Sequence, residues 1–179
     1  MKRTLLLLPL IVFQFQVLAQ TYDEKIQWVR VHYNEIESKP EKLTEGNWID
    51  KPYDDLAPVA WYKYWEDSAG QIVKVQKSTG EEGYSSIERY YYHHGQLFFY
   101  YSENAEPEYS DGATFYNMDE ARVYFFDNQI FEYLYKTKDA FDLRDMSQIP
   151  NKKAQWDTKI QVEILKASND IIEVITSEE

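Results

Sequence analysis

The chain contains no cysteine. No disulfide can brace it, no thiolate can ligate a metal, and no lipid can be attached through a cysteine thiol. Glycine and proline are scarce, six of each in 179 residues. That leaves no glycine-rich loop to cradle a phosphate and no Gly-x-Ser-x-Gly elbow to carry a serine nucleophile. Cations are outnumbered, with 19 Lys and Arg against 31 Asp and Glu and a formal net charge of −12. A surface of that sign repels phosphate backbones and anionic lipid heads, so nucleic acid is not an expected partner. Beyond one short apolar stretch, Leu5 to Phe13, no segment approaches the length of a spanning helix.

That stretch has the layout of a secretory signal peptide. Lys2 and Arg3 precede the apolar core, and Val17-Leu18-Ala19 supplies small residues for a cleavage site. Residues 1–19 are therefore expected to be removed, leaving a single domain over 20–179 with a net charge of −14 once Lys2 and Arg3 are gone. The expected location is the periplasm or the cell exterior, with no membrane span after cleavage. A chain of this length can bury a core without disulfides, which suits a bacterial envelope protein.

Aromatic residues are abundant: 16 Tyr, nine Phe and five Trp make up 17% of the chain. Such residues favour strands, half-wet sheet faces and contact surfaces. The opening is helical. Thr21-Tyr22-Asp23-Glu24 has the form of a capping box, and Tyr22, Ile26, Val29, Tyr33 and Ile36 follow at helical spacing, so 22–38 is predicted as an amphipathic helix stopped by Pro40. Residues 39–58 read as a loop with one short strand near Trp48. From Val59 to Leu134 the period changes to two.

Within that region lies an internal repeat. Glu88 to Phe98 aligns with Ala121 to Phe131 at an offset of 33 residues without a gap, and a weaker third copy spans Tyr62 to Val75, turning at Asp67-Ser68-Ala69-Gly70. Each copy is predicted as a β-hairpin, with His94-Gly95 and Asp127-Asn128 as two-residue turns. In the simplest register Tyr92 opposes Leu97 and Phe125 opposes Ile130 on a core face. On the other face Tyr91 opposes Phe98, Arg89 opposes Tyr100, Tyr124 opposes Phe131, and Arg122 opposes Tyr133. The acidic segment Ser102 to Glu120 reads as a long loop, with a short strand at Ala113 to Tyr116 as an option. Residues 152–176 read as a C-terminal helix, with a helix to 168 followed by a strand from Ile171 to Ile175 as the alternative. The predicted fold is α+β: a meandering antiparallel sheet of five to seven strands built from repeated hairpins, with both helices packed on one face.

The string Arg89-Tyr90-Tyr91-Tyr92-His93-His94-Gly95-Gln96-Leu97-Phe98-Phe99 resembles the RYYFDNGKLIF element of small exported proteins of unknown function from Bacteroidota-type Gram-negative bacteria. Arg122 to Glu132 is similar to the second such element, with Asn128 where that pattern has Gly. The resemblance implies an N-terminal helix, two or three hairpins, a closing helix and an exported protein. It implies no activity.

Candidate sites are few. His93 and His94 are adjacent at a hairpin tip, and because neighbours in a strand point to opposite faces they are not expected to chelate one ion readily. The run from Glu106 to Asp111 with Gly112 only faintly echoes a calcium loop and reads better as a solvated turn. Acidic pairs at Asp54-Asp55, Glu66-Asp67 and Asp119-Glu120 leave a carboxylate-dependent glycan hydrolase as the enzymatic alternative. No catalytic residue, metal or cofactor is expected. The feature with functional promise is the aromatic face: Arg89, Tyr91, Phe98, Tyr100, Arg122, Tyr124, Phe131 and Tyr133 would form a platform for an envelope protein, a peptide or a glycan.

Overall fold

Helix α1 begins where its capping residues dictate. The Thr21 hydroxyl accepts from the Glu24 amide at 3.3 Å, and the Glu24 carboxylate accepts from the Thr21 amide at 2.7 Å. Behind this closed capping box, α1 runs Tyr22–Glu37. The structure, a computed structural model, describes residues 20–40, 43–50, 60–81 and 84–177; the expected signal segment and the Asp54-Asp55 pair lie outside them.

Eight strands follow: β1 (Thr44–Asp50), β2 (Ala60–Glu66), β3 (Ile72–Glu81), β4 (Tyr84–His93), β5 (Gln96–Ser110), β6 (Ala113–Phe126), β7 (Gln129–Lys138) and β8 (Lys152–Lys153). They form one sheet in chain order, each strand antiparallel to the next. The meander is as predicted, but the strand count exceeds the expected five to seven. Helix α2 (Thr158–Ser177) closes the chain. No helix among the described residues is long and apolar enough to cross a membrane.

The predicted turns adopt the required backbone. His94 and Gly95 have φ of 49° and 75°, and Asp127 and Asn128 have φ of 49° and 59°, the left-handed pair of a type I′ turn. The third hairpin turns at Asp67, whose side chain accepts from the amides of Ala69 and Gln71 at 2.9 and 3.0 Å. The segment 102–120, expected as a loop, is instead the outer half of the β5–β6 hairpin, which turns at Asp111-Gly112. Asp-Gly is itself a hairpin signal, obscured here by the surrounding acids and by Pro107. That proline lies beyond the last β4 pair among the described residues, Ser85 with Ala105, and is paired there only with Tyr116 of β6.

The C-terminal expectation is corrected in two places. Lys152-Lys153 form β8 against Leu134 and Tyr135, and the helix starts at Thr158, where the Asp157 carboxylate caps the Ile160 amide at 2.9 Å. The helix then continues unbroken past Asn169, so Ile171 to Ile175 are not a strand.

Each of the three repeated hairpins carries a β-bulge absent from the simple register. Tyr92 pairs with Leu97, but Tyr91 pairs with Phe99, which leaves Phe98 as an extra residue. Phe125 pairs with Ile130 and Tyr124 with Glu132, leaving Phe131 extra; Glu66 pairs with Ile72 and Trp65 with Lys74, leaving Val73 extra. From each bulge outward the facing pairs slip by one. Arg89 therefore opposes Tyr101 and Arg122 opposes Leu134, and the predicted pairs with Tyr100 and Tyr133 are not formed.

The two helices take opposite faces of the sheet, against the expectation that both would share one. Ile171 and Ile175 of α2 join Tyr90, Tyr92, Leu97, Tyr100, Val123, Phe125 and Ile130 in the larger core. Val29 of α1 packs with Tyr91, Phe98 and Phe99 in the smaller one. The physical reason lies in the hairpins, which are apolar on both faces, so each face must be removed from water.

Candidate functional site

The bulges decide which aromatic side chains meet α1. At a bulge two neighbouring residues share the face that one residue holds on the partner strand, so Phe98 and Phe99 both join the cluster beneath α1. The extra residues grip the helix: Phe98 meets Trp28 edge-on with ring centroids 5.5 Å apart, and Phe131 meets Tyr22 edge-on at 6.1 Å. Past the bulge the alternation resumes one position out of step. Tyr101 comes to the α1 face, while Tyr100 and Tyr133 pass to the face under α2. There the Tyr100 phenol donates to Glu88 at 2.8 Å.

The eight residues expected to form one platform are thus divided. Tyr100 and Tyr133 belong to the α2 core, and Phe98, 2% exposed, is sealed beneath α1. Phe131 is partly buried against α1. The other four, Arg89, Tyr91, Arg122 and Tyr124, come together as the floor of a cleft of about 550 Å³ between the sheet and α1. The expected open platform is therefore covered by the helix, and what reaches solvent is this cleft. Its remaining floor is Phe99 and Tyr101, and its roof is Val29, Arg30, Tyr33 and Asn34 from α1. A second space of about 470 Å³ continues it, sharing Arg30 and Tyr124 and ending at Tyr22, Glu132 and Lys153.

The floor is laid out in rows across the strands. Arg89, Tyr101 and Arg122 face one another on β4, β5 and β6, and the next row is Tyr91, Phe99 and Tyr124. The Arg89 guanidinium lies 5.1 Å from the Tyr101 ring centroid, a cation–π contact. Its Nε donates to Gln76 at 3.1 Å, and it makes no ion pair among the described residues. Arg122 pairs with Glu120, whose second oxygen lies 3.3 Å from Lys136 Nζ. Two cations thus share one carboxylate.

The phenols stay protonated. Burial, reinforced by Glu37, pushes Tyr91 far above the usual phenol range, and burial also raises Tyr33, Tyr101 and Tyr124. Arg89 and Arg122 both pull Tyr33 downward, and Arg122 and Arg30 both pull Tyr124 downward. The three positive charges therefore act on the same small volume. A neutral phenol both donates and accepts hydrogen bonds, so the lining offers stacking faces, hydroxyls and guanidinium forks together.

The buried carboxylates near the cleft are already engaged. Glu132, 4% exposed, accepts from the Tyr22 phenol and lies 3.2 Å from Lys153 Nζ. That hydrogen bond, with burial and the Glu132 charge behind it, holds the Tyr22 phenol up at about 12. At the tip of the β4–β5 hairpin, His93 meets both His32 of α1 and its neighbour His94 with ring centroids 4.1 Å apart, beside Trp28; the two neighbours do not diverge as strand alternation predicts, because His94 lies in the turn. Among the described residues no group of three His, Asp or Glu could hold a metal ion.

The residues that sequence reasoning did not place in the site are Val29, Arg30, Tyr33 and Asn34 on α1, and Phe99 and Tyr101 on β5. The α1 residues had a usable signal, since Tyr33 belongs to the apolar stripe and Arg30 and Asn34 flank it at helical spacing. For β5 the signal was the unbroken run Leu97-Phe98-Phe99-Tyr100-Tyr101, which violates a period of two. No protein-family model, no curated protein and no solved structure matches this chain.

Proposed function

We propose that this protein is an exported, non-catalytic binding module of the cell envelope, which takes its ligand in the cleft between α1 and the aromatic sheet face. The observation that carries this reading is the convergence of Arg89 and Arg122, equivalent positions of the hairpin repeat, on one pocket walled by Tyr33, Tyr91, Tyr101 and Tyr124. A concave, half-buried site with aromatic walls and a few placed polar groups is the usual form of a ligand pocket. The alternative, a glycan hydrolase, needs two carboxylates free to act across a bond. Glu120 and Glu132 are instead each tied to a lysine.

The test is an array of glycans and peptides probed with the purified protein and with a Tyr33→Ala/Tyr124→Ala variant whose fold is verified by circular dichroism. A ligand held by the parent and weakened at least tenfold by the variant supports the cleft. Equal binding by both removes it. Export is tested separately by N-terminal sequencing of protein from the envelope fraction, where Gln20 is the expected first residue and a retained Met1 overturns it.

A further inference from the structure

We infer that the cleft recognises a sugar acid: a short oligosaccharide whose carboxylates are held by Arg30, Arg89 and Arg122 while its rings lie against the tyrosines. This rests on the cleft being the binding site. Charge is the first argument. The chain as a whole carries −12, yet this one concavity gathers three guanidinium groups. Arg30 and Arg89 make no ion pair among the described residues, and the Arg122–Glu120–Lys136 group retains one positive charge. Unpaired guanidinium forks match the planar geometry of carboxylates. The acidic remainder of the surface repels dense polyanions, so the ligand it admits is short and carries few charges.

Ring stacking is the second argument. Arg89, Tyr101 and Arg122 occupy one cross-strand row, which places the two arginine Cα atoms about 10 Å apart with a phenol between them. That span suits several linked rings better than one small anion. A peptide fits less well, because β4, β5 and β6 are interior strands with partners on both sides and offer no free backbone edge for strand addition. Tyrosine hydroxyls and ring faces, by contrast, match the hydroxyls and C–H faces of a pyranose.

Isothermal titration of the purified protein at fixed ionic strength tests this with trimers of galacturonate, glucuronate and mannuronate. The same trimers as methyl esters, inorganic sulfate, acetate and a triglutamate peptide serve as comparisons. At least one uronate trimer is expected to bind, with its ester at least tenfold weaker and with no measurable heat from acetate or sulfate. Arg89→Gln and Arg30→Gln, which break no ion pair, are each expected to weaken it at least fivefold without shifting the thermal midpoint by more than a few degrees. The Arg89 15Nε resonance is expected to move on binding. Equal affinity for acid and ester overturns the charge claim but leaves the cleft intact. Tighter binding of triglutamate, or no binding of any saccharide, overturns the sugar claim, and the array result then judges the cleft by itself. Uronate binding untouched by Arg89→Gln, Arg30→Gln and Tyr33→Ala/Tyr124→Ala together overturns both.

Discussion

The Ser168 hydroxyl of α2 donates to the Tyr92 phenol oxygen of β4 at 3.0 Å, and the two residues are only 1% and 3% exposed. This contact ties the closing helix to the middle of the sheet across 76 positions of chain. Removing one partner strands a buried polar group, which costs about 1–3 kcal/mol. Tyr92→Phe and Ser168→Ala are each expected to fall in that range in urea unfolding, and the double variant to cost less than the sum of the two. Strict additivity would show that the pair does not interact.

Glu120 and Lys136 are a second buried pair, with side chains 8% and 7% exposed. Lys136→Met leaves the carboxylate inside with only the half-exposed Arg122 to answer it, and a loss of about 3–5 kcal/mol is expected. Replacing both residues by Leu and Met should recover much of that loss. A single variant as stable as the parent would mean that water already reaches Glu120.

Phe98 and Phe99 share the α1 face only because β5 carries an extra residue opposite Tyr91. Phe98→Ala is expected to cost about 3–5 kcal/mol and to change the near-ultraviolet circular dichroism of Trp28. Deletion of Phe98 removes the bulge itself: Phe99 then follows Leu97 in plain alternation, and residues 99–110 keep their partners and faces. A sharp transition is expected to persist, at a cost close to that of Phe98→Ala, and a deletion variant that loses cooperative unfolding would refute the bulge.

His93 supplies the pH dependence. Burial, with help from His32 and His94 and opposed by Glu35, lowers its pKa below the ordinary 6.5. Between the folded value and 6.5 the unfolded chain binds more protons, so stability falls as pH drops below about 6.5 and levels off under the folded pKa. The urea midpoint is expected to decline from pH 7.5 to 5.5 by more in the parent than in His93→Gln. Equal declines would assign the effect to other groups.

Much of the fold was legible because short-range chemistry decides it. The capping box at Thr21, the type I′ turns at His94-Gly95 and Asp127-Asn128, and the 33-residue repeat each depend on a few adjacent residues. The Asp111-Gly112 turn carried the same signal but was read through its acidic surroundings. Four of the ten residues lining the cleft were legible on the same basis: Arg89, Tyr91, Arg122 and Tyr124 sit upstream of the turns, on strands without the extra residue.

Amino-acid order alone determined the existence of the hairpins, the two terminal helices and the clustering of arginine with tyrosine at repeated positions, because these follow from backbone preference and local periodicity. Only the tertiary structure decided which face each side chain takes beyond a bulge, that α1 and α2 cover opposite faces, and that Arg30 and Tyr33 complete the cleft. Those outcomes turn on how apolar area from distant segments is jointly removed from water, and that balance is struck between surfaces rather than between neighbours in the chain.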